Sequence, residues 1–440
     1  MRRVLWGITL LLALSAVKLQ AARESIFMTD VEDAFKDAKK KNRPILIDFY
    51  GIWCPPCNQM DETVFSTPTF FQKSRSFTPL KVDADAKTSW QLKDKYHVGG
   101  YPTYIFANAQ GEEIYRIVGS RPPESFYQIM DMVAGMKPRG FKQACKSKDV
   151  EDLWRCALIC GERKDQKCAE AAYAKLESKL DKASIRYQMA RGYAAENAPT
   201  DDLKRRGYES LIADYPQSPF LLMWGTQYVD SFDAESPQKP KKEVIEKALQ
   251  GYPGVLSSPD KAAAGVTDTD QMQMRAYLLT KLEKKEEATR AWAEACEKLD
   301  QLGKALPAGI TPRGFVSERI YCLESAGQSK EALDLANEYR ALYPNEFTYH
   351  YAAASLLDKA KRYNEAMPVA QRAFDSGYGD NRIRAAILLI DIYATVPNQA
   401  AAQEIYERVK KDQAPDAKLD IRTHSYLKKL DTAWQKFAKK

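Results

Sequence analysis

The chain has little histidine: three residues in 440, His97, His350 and His424, scattered along its length. It also has no second Cys-x-x-Cys pair, so the one it carries is not half of an ordinary zinc site. The long C-terminal part lacks a glycine-rich phosphate loop, a Ser/His/Asp arrangement and a metal-binding cluster, which excludes a second catalytic centre of those kinds. There is no dense basic stripe. The net charge of +7 is spread through mixed-sign segments, so a solvated surface, and no nucleic-acid partner, is expected. The N-terminal apolar run, Val4 to Val17, is short of the ~20 residues a membrane span needs. No cysteine follows that run, which excludes a lipobox anchor.

What is present is Trp53-Cys54-Pro55-Pro56-Cys57, directly after the apolar run Ile45-Leu46-Ile47-Asp48-Phe49-Tyr50. The run reads as a buried strand. Two cysteines two residues apart, opening a helix after such a strand, form a redox dithiol. Cys54 falls at the helix start, where free backbone N–H groups and the helix dipole favour a thiolate. Cys57 lies one turn further in, within reach of a mixed disulfide formed at Cys54.

From about Thr29 to Met136 the chain resembles the thioredoxin superfamily, in the branch that includes the C-terminal domain of the disulfide reductase DsbD. The resemblance rests on Ala34 to Lys39, Arg43-Pro44, Trp53-Cys54, Thr63-Val64-Phe65, Ser66-Thr67-Pro68, Lys81-Val82-Asp83, Val98 to Thr103, the turn Asn108 to Gly111, and Val118-Gly119. It implies Cys54 as nucleophile, Cys57 as resolving thiol and Pro102 as the cis-proline beside the dithiol. Trp53 and Tyr101 become substrate-binding residues, Tyr101 through its backbone. Asp48 takes the place of the buried acid that moves a proton from Cys57, a task suited to a raised pKa. Thioredoxins usually carry a lysine near that acid; here the corresponding position is read as Pro79. Pro55-Pro56 supplies neither charge nor donor, whereas a histidine there would make the dithiol more oxidising. Reduction is therefore the favoured direction.

The length implies two or three domains. Arg2, Arg3, the apolar core and the small residues Ala21 and Ala22 read as an export signal over 1–22, with an uncleaved membrane anchor as the alternative. A thioredoxin-like domain over 23–137 follows. Six further cysteines, Cys145, Cys156, Cys160, Cys168, Cys296 and Cys322, suit structural disulfides in an oxidising compartment. Cys296 and Cys322 flank the connection Gln301 to Pro312 at distances that let them face each other across a helical hairpin. The pairing of the other four stays open.

Beyond Lys137-Pro138-Arg139-Gly140 strand signals vanish. A helical hairpin region is expected over 138–270 and degenerate tetratricopeptide-like repeats over 271–440. Glu331-Ala332, Glu365-Ala366 and Gln399-Ala400 recur at about the tetratricopeptide spacing, with Gly327 at an inter-helix turn. Small Ala332, Ala366 and Ala400 would let paired helices approach. Tyr349, Tyr351, Tyr363, Trp292 and Trp434 read first as core, and second as a lining for peptides.

The expectation is an α/β thioredoxin fold followed by an all-α solenoid: an exported, periplasmic or secreted, thiol–disulfide oxidoreductase. Its partners would be protein disulfides and a thiol reductant or redox partner protein, and no cofactor or metal is implied. The alternative is a chaperone or assembly adaptor whose repeats bind proteins while the thioredoxin fold serves as a docking platform.

Overall fold

The computed structural model describes residues 26–136, 140–232, 238–412 and 421–438. The export signal expected at 1–22 and the domain boundary expected at 137–138 involve residues outside this set.

The first body is a four-stranded sheet between helices. α1 (Val31–Lys41) is N-capped by Asp30, whose side chain accepts from the Asp33 N–H. β1 (Ile45–Tyr50) leads into α2 (Pro55–Met60), which runs on as a π-helical turn over Asp61–Phe65. α3 (Pro68–Ser74), β2 (Thr78–Asp83), α4 (Trp90–Tyr96), β3 (Thr103–Ala107), β4 (Glu113–Val118) and α5 (Pro123–Gly135) follow. The strand order is β2-β1-β3-β4, with β1–β2 parallel and the other two pairs antiparallel. β1 is central, and it is apolar on both faces because both are covered. Ile45, Ile47 and Phe49 pack with Ala34 and Ala38 of α1, while Leu46, one residue out of phase, packs with Met60, Val64 and Phe65. The β3–β4 turn uses Asn108, whose side-chain Oδ1 accepts from the Gln110 and Glu112 N–H groups, and Gly111 at φ 79°.

From Phe141 every regular element among the described residues is helical. α6 (Phe141–Ala144), α7 (Val150–Glu162), α8 (Gln166–Glu177), α9 (Ile185–Glu196), α10 (Asp201–Asp214), α11 (Leu221–Asp230) and α12 (Lys242–Gln250) are followed by the short α13 (Tyr252–Ser257) and α14 (Lys261–Ala264). Then come α15 (Asp268–Lys281), α16 (Lys285–Lys304), α17 (Arg313–Ser325), α18 (Ser329–Leu342), α19 (Phe347–Lys359), α20 (Tyr363–Ser376), α21 (Gly379–Thr395), α22 (Gln399–Asp412) and α23 (Ile421–Ala438). Consecutive helices pack as hairpins. A buried alanine occupies the fourth position of the second helix in five of them: Ala169, Ala288, Ala332, Ala366 and Ala402. A methyl there lets the partner helix approach closely. Left-handed residues make four of the intervening turns, Lys164, Glu283, Gly327 and Lys361. Ala332 and Ala366 stand where the spacing placed them, but Ala400 is exposed and Ala402 takes the buried position. The repeat thus lengthens by two residues at its last unit, and the apolar face follows the helix phase rather than the count.

The helical part begins as an extension of the first core. Leu153, Trp154, Cys156 and Ala157 of α7 share one cluster with Phe106 and Tyr115 of the sheet. Arg155, fully buried, donates to the Ile114 carbonyl at 2.6 Å and to Asp152 at 3.0 Å. Those charge-assisted bonds are what make its burial tolerable. No helix among the described residues is long and apolar enough to cross a membrane.

Candidate active site

β1 ends in the loop Gly51-Ile52-Trp53, and Cys54 is the N-cap of α2. Its Sγ accepts the Cys57 N–H at 3.2 Å, and the Cys54 N–H is bound by the Gly51 carbonyl at 3.0 Å. Cys54 and Cys57 are paired as a disulfide, with Cα atoms 5.3 Å apart. Both are only 2% exposed. The Tyr101–Pro102 peptide is cis, and Tyr101 meets Trp53 edge to face at 5.9 Å.

Asp48 lies on the β1 face covered by α2 and is 2% exposed. Burial drives its carboxyl up to about 7; Lys81 opposes this and Asp61 adds to it. Lys81 Nζ stands 3.9 Å from Asp48 and 2.5 Å from Asp61. Asp48 Oδ1 has no hydrogen-bond partner. The position expected to correspond to the lysine of thioredoxins, Pro79, pairs with Leu46. The parallel register sets Asp48 against Lys81, so the charge partner exists two residues further along β2.

The helical part packs over this site. α17 lies on α2: the Gly314 N–H donates to Glu62 Oε1 at 2.6 Å, and Gln59 donates to Glu318. Thr348 donates to the Ile52 carbonyl at 3.4 Å. Asp85, at the end of the segment after β2, accepts from the Trp53 indole N–H and, at 2.8 Å, from Asn381. The Arg422 guanidinium lies 4.0 Å from the Trp53 ring and 5.2 Å from that of Tyr101; Arg384 lies 5.4 Å from Trp53 and 4.6 Å from Tyr351. Burial raises Glu62 to about 8, against the Gly314 N–H bond that lowers it. Burial likewise raises Asp85 to about 6, against its bond from Trp53.

Sequence reasoning singled out Cys54, Cys57, Asp48, Trp53, Tyr101 and Pro102; the structure pairs Cys54 with Cys57, sets Tyr101 against Trp53, makes the Tyr101–Pro102 peptide cis and buries Asp48. Sequence reasoning missed Lys81, for which strand register was an available signal. It also missed Glu62, Asp85, Gly314, Arg384 and Arg422, whose partners lie across the two bodies, 252 residues away for Glu62. No local pattern marks such contacts. Of the aromatics, Tyr349 and Trp292 are buried as core, but Tyr349 and Tyr351 also line a cavity at Trp53.

Cys296 and Cys322 are brought together between α16 and α17, paired with Cα atoms 5.5 Å apart. Cys145 pairs with Cys156 and Cys160 with Cys168. These last four sulfurs all lie within 4.8 Å of one another, a donor set compact enough for a metal ion as well.

A family model for a thioredoxin-like domain matches residues 31–134. A protein disulfide-isomerase of Schizosaccharomyces pombe is 26% identical over 156 residues, 36% of this chain and 40% of that protein. The thiol:disulfide interchange protein DsbD of Campylobacter jejuni is 30% identical over 95 residues, 21% of this chain and 17% of that one. The chain thus spans well under half the length of either relative. A tetratricopeptide repeat protein from Parabacteroides merdae aligns with 65% of this chain and 100% of its own, at 12% identity and a TM-score of 0.39. Strand order, dithiol placement and the family match agree: residues 31–134 form a thioredoxin-like domain, related to thiol–disulfide oxidoreductases, and the chain continues into repeated helical hairpins.

Proposed function

We propose that the protein is an exported thiol–disulfide oxidoreductase that reduces or exchanges protein disulfides through Cys54 and Cys57, with the helical repeats governing which client reaches them. In the reducing direction the Cys54 thiolate attacks one sulfur of a client disulfide. A Cys54–client bond forms and the other client sulfur leaves as a thiolate. Cys57 passes its proton to Asp48 and attacks Cys54 Sγ. The second client sulfur then leaves, and the client has gained the electron pair that the dithiol has lost. A thiol reductant or redox partner protein restores the dithiol. Trp53, Tyr101 and Pro102 form the surface against which the client lies. Export is supported by the charged and apolar N-terminal pattern and by six cysteines held in disulfides away from the dithiol.

The carrying observation is the position of Cys54: N-cap of α2, its sulfur accepting the Cys57 N–H, with a buried acid of raised pKa on the strand before it. The adaptor reading draws on the cover that the repeats place over the dithiol. One assay separates the two. Insulin reduction driven by dithiothreitol should be catalysed by the full chain and abolished by Cys54→Ser, and Cys57→Ala should hold a client at Cys54 for mass spectrometry. Turnover as fast in Cys54→Ser as in the parent would leave the adaptor reading standing.

A further inference from the structure

Beside the dithiol lies a cavity of about 140 Å³ between the two bodies, walled by Trp53 and Pro55 on one side and by Phe347, Tyr349, Tyr351 and Arg384 on the other. Trp53 and Pro55 are the chain neighbours of Cys54, so the cavity lies next to the loop that presents the nucleophile. Its walls are aromatic and its size suits one extended side chain.

The charges around it are unevenly satisfied. Arg422 pairs with Asp380 at 3.7 Å, and Asp380 also accepts from Thr423. Asp85 is held by Trp53 and Asn381. Glu346 pairs with Arg313, and Glu318 accepts from Gln59 and Gln273. Arg384 has no carboxylate partner among the described residues. It makes one long bond, to Asn381 at 3.3 Å. A guanidinium carries five N–H donors in a planar fork, so most of this one is open. The guanidinium carbon lies 4.6 Å from the Tyr351 ring and 5.4 Å from those of Trp53 and Phe347, cation–π contacts that use none of those donors.

From this cavity we infer that Arg384 is a specificity residue: the client segment carries an acidic side chain close to its disulfide, which enters the cavity and pairs with the guanidinium. The inference rests on the oxidoreductase reading of Cys54. The acid is supplied by the client because Asp380, Asp85, Glu346 and Glu318 already have partners. Pairing there would hold the client disulfide beside Trp53 and Cys54.

The test uses the full chain, pre-reduced, and short acetylated and amidated peptides with one internal disulfide flanked by Glu, Gln or Lys. Second-order rates of peptide reduction are measured by acid quench and mass spectrometry, each divided by the rate of the same peptide with dithiothreitol. The Glu peptide should react about fivefold to tenfold faster than the Gln peptide, with Lys slowest. The preference should fall as salt is raised. Arg384→Gln should bring the Glu/Gln ratio to one, and Arg384→Lys should keep part of it. A ratio of one in the parent, or an unchanged ratio in Arg384→Gln, overturns the inference while leaving the redox function intact. If Arg384→Gln does not fold, the parent's ratio and its salt dependence decide. Failure of the parent to reduce any of the peptides or insulin counts instead against the oxidoreductase reading, and the specificity inference falls with it.

Discussion

Gly314→Ala tests whether the helical repeats control access to the dithiol. A Cβ built at Gly314 meets the Gln59 backbone nitrogen at 2.5 Å and the Pro55 carbonyl oxygen at 2.7 Å, both in the helix that carries the cysteines. Real Cβ atoms do not approach backbone so closely, and backbone cannot rotate away. The two helices must separate by nearly 1 Å to restore ordinary contact. Separation also stretches the Gly314 N–H bond to Glu62, whose second oxygen already has no partner. Overpacking of this kind costs about 1–3 kcal/mol and the lost bond about 1 kcal/mol, offset by about 1 kcal/mol of helix propensity gained on replacing glycine. Docking should weaken by about 1–3 kcal/mol, which multiplies the undocked population about 5- to 150-fold. Cys54 is 2% exposed when docked, so its reaction with iodoacetamide in reduced protein should accelerate by a similar factor. Peptide mapping follows the alkylation, and hydrogen exchange in α2 and α17 follows the separation. Parent-like alkylation together with raised exchange at this joint would refute the claim that docking guards Cys54. Parent-like exchange would refute the steric reasoning. Glu62 adds a pH dependence. Its pKa is raised to about 8 in the docked state, so docking takes up a proton between the ordinary carboxylate range and pH 8. Docking therefore weakens as pH rises through that window and changes no further above it.

Asp48→Asn should slow decay of the Cys54 mixed disulfide and leave the first attack nearly unchanged, as read by rapid mixing. In the parent the decay rate should climb with pH through about 7, where Asp48 becomes able to accept a proton; a climb that survives in Asp48→Asn would remove Asp48 from the mechanism. Replacing Cys296 and Cys322 together by alanine opens a loop with sequence separation 26, and the loop-entropy relation gives a loss of about 3.5 kcal/mol. Denaturant midpoints of the oxidised parent and the double variant measure it, and equal midpoints would show that the pair contributes no stability.

The strand–loop–helix that presents Cys54, and the helical character of everything after Gly140, were legible in the sequence because they follow from short-range rules. An apolar run buried on both faces, a capping cysteine followed by proline at the first helical position, and a repeat of small residues each act within a turn or a strand. The Ala400 expectation shows the limit of counting: burial selects Ala402 because the helix phase, not the residue number, sets which side chain faces its partner. Lys81 lay within reach of sequence reasoning, since the parallel register of two short strands decides it. What only the tertiary structure decided is the environment of the dithiol. Glu62 reads as a surface glutamate until Gly314 arrives to bind it, Arg384 as one more helix cation until it lies over the Trp53 ring, and Asp85 as a loop acid until Asn381 closes on it. Those contacts join residues hundreds of positions apart, and their energies depend on distances that close only when the helical part packs against α2 and the loops beside it. The sequence by itself determined the dithiol and the strand–loop–helix that presents it; the packing of the two bodies decided how that dithiol is enclosed, because burial and approach are properties of surfaces that local sequence does not encode.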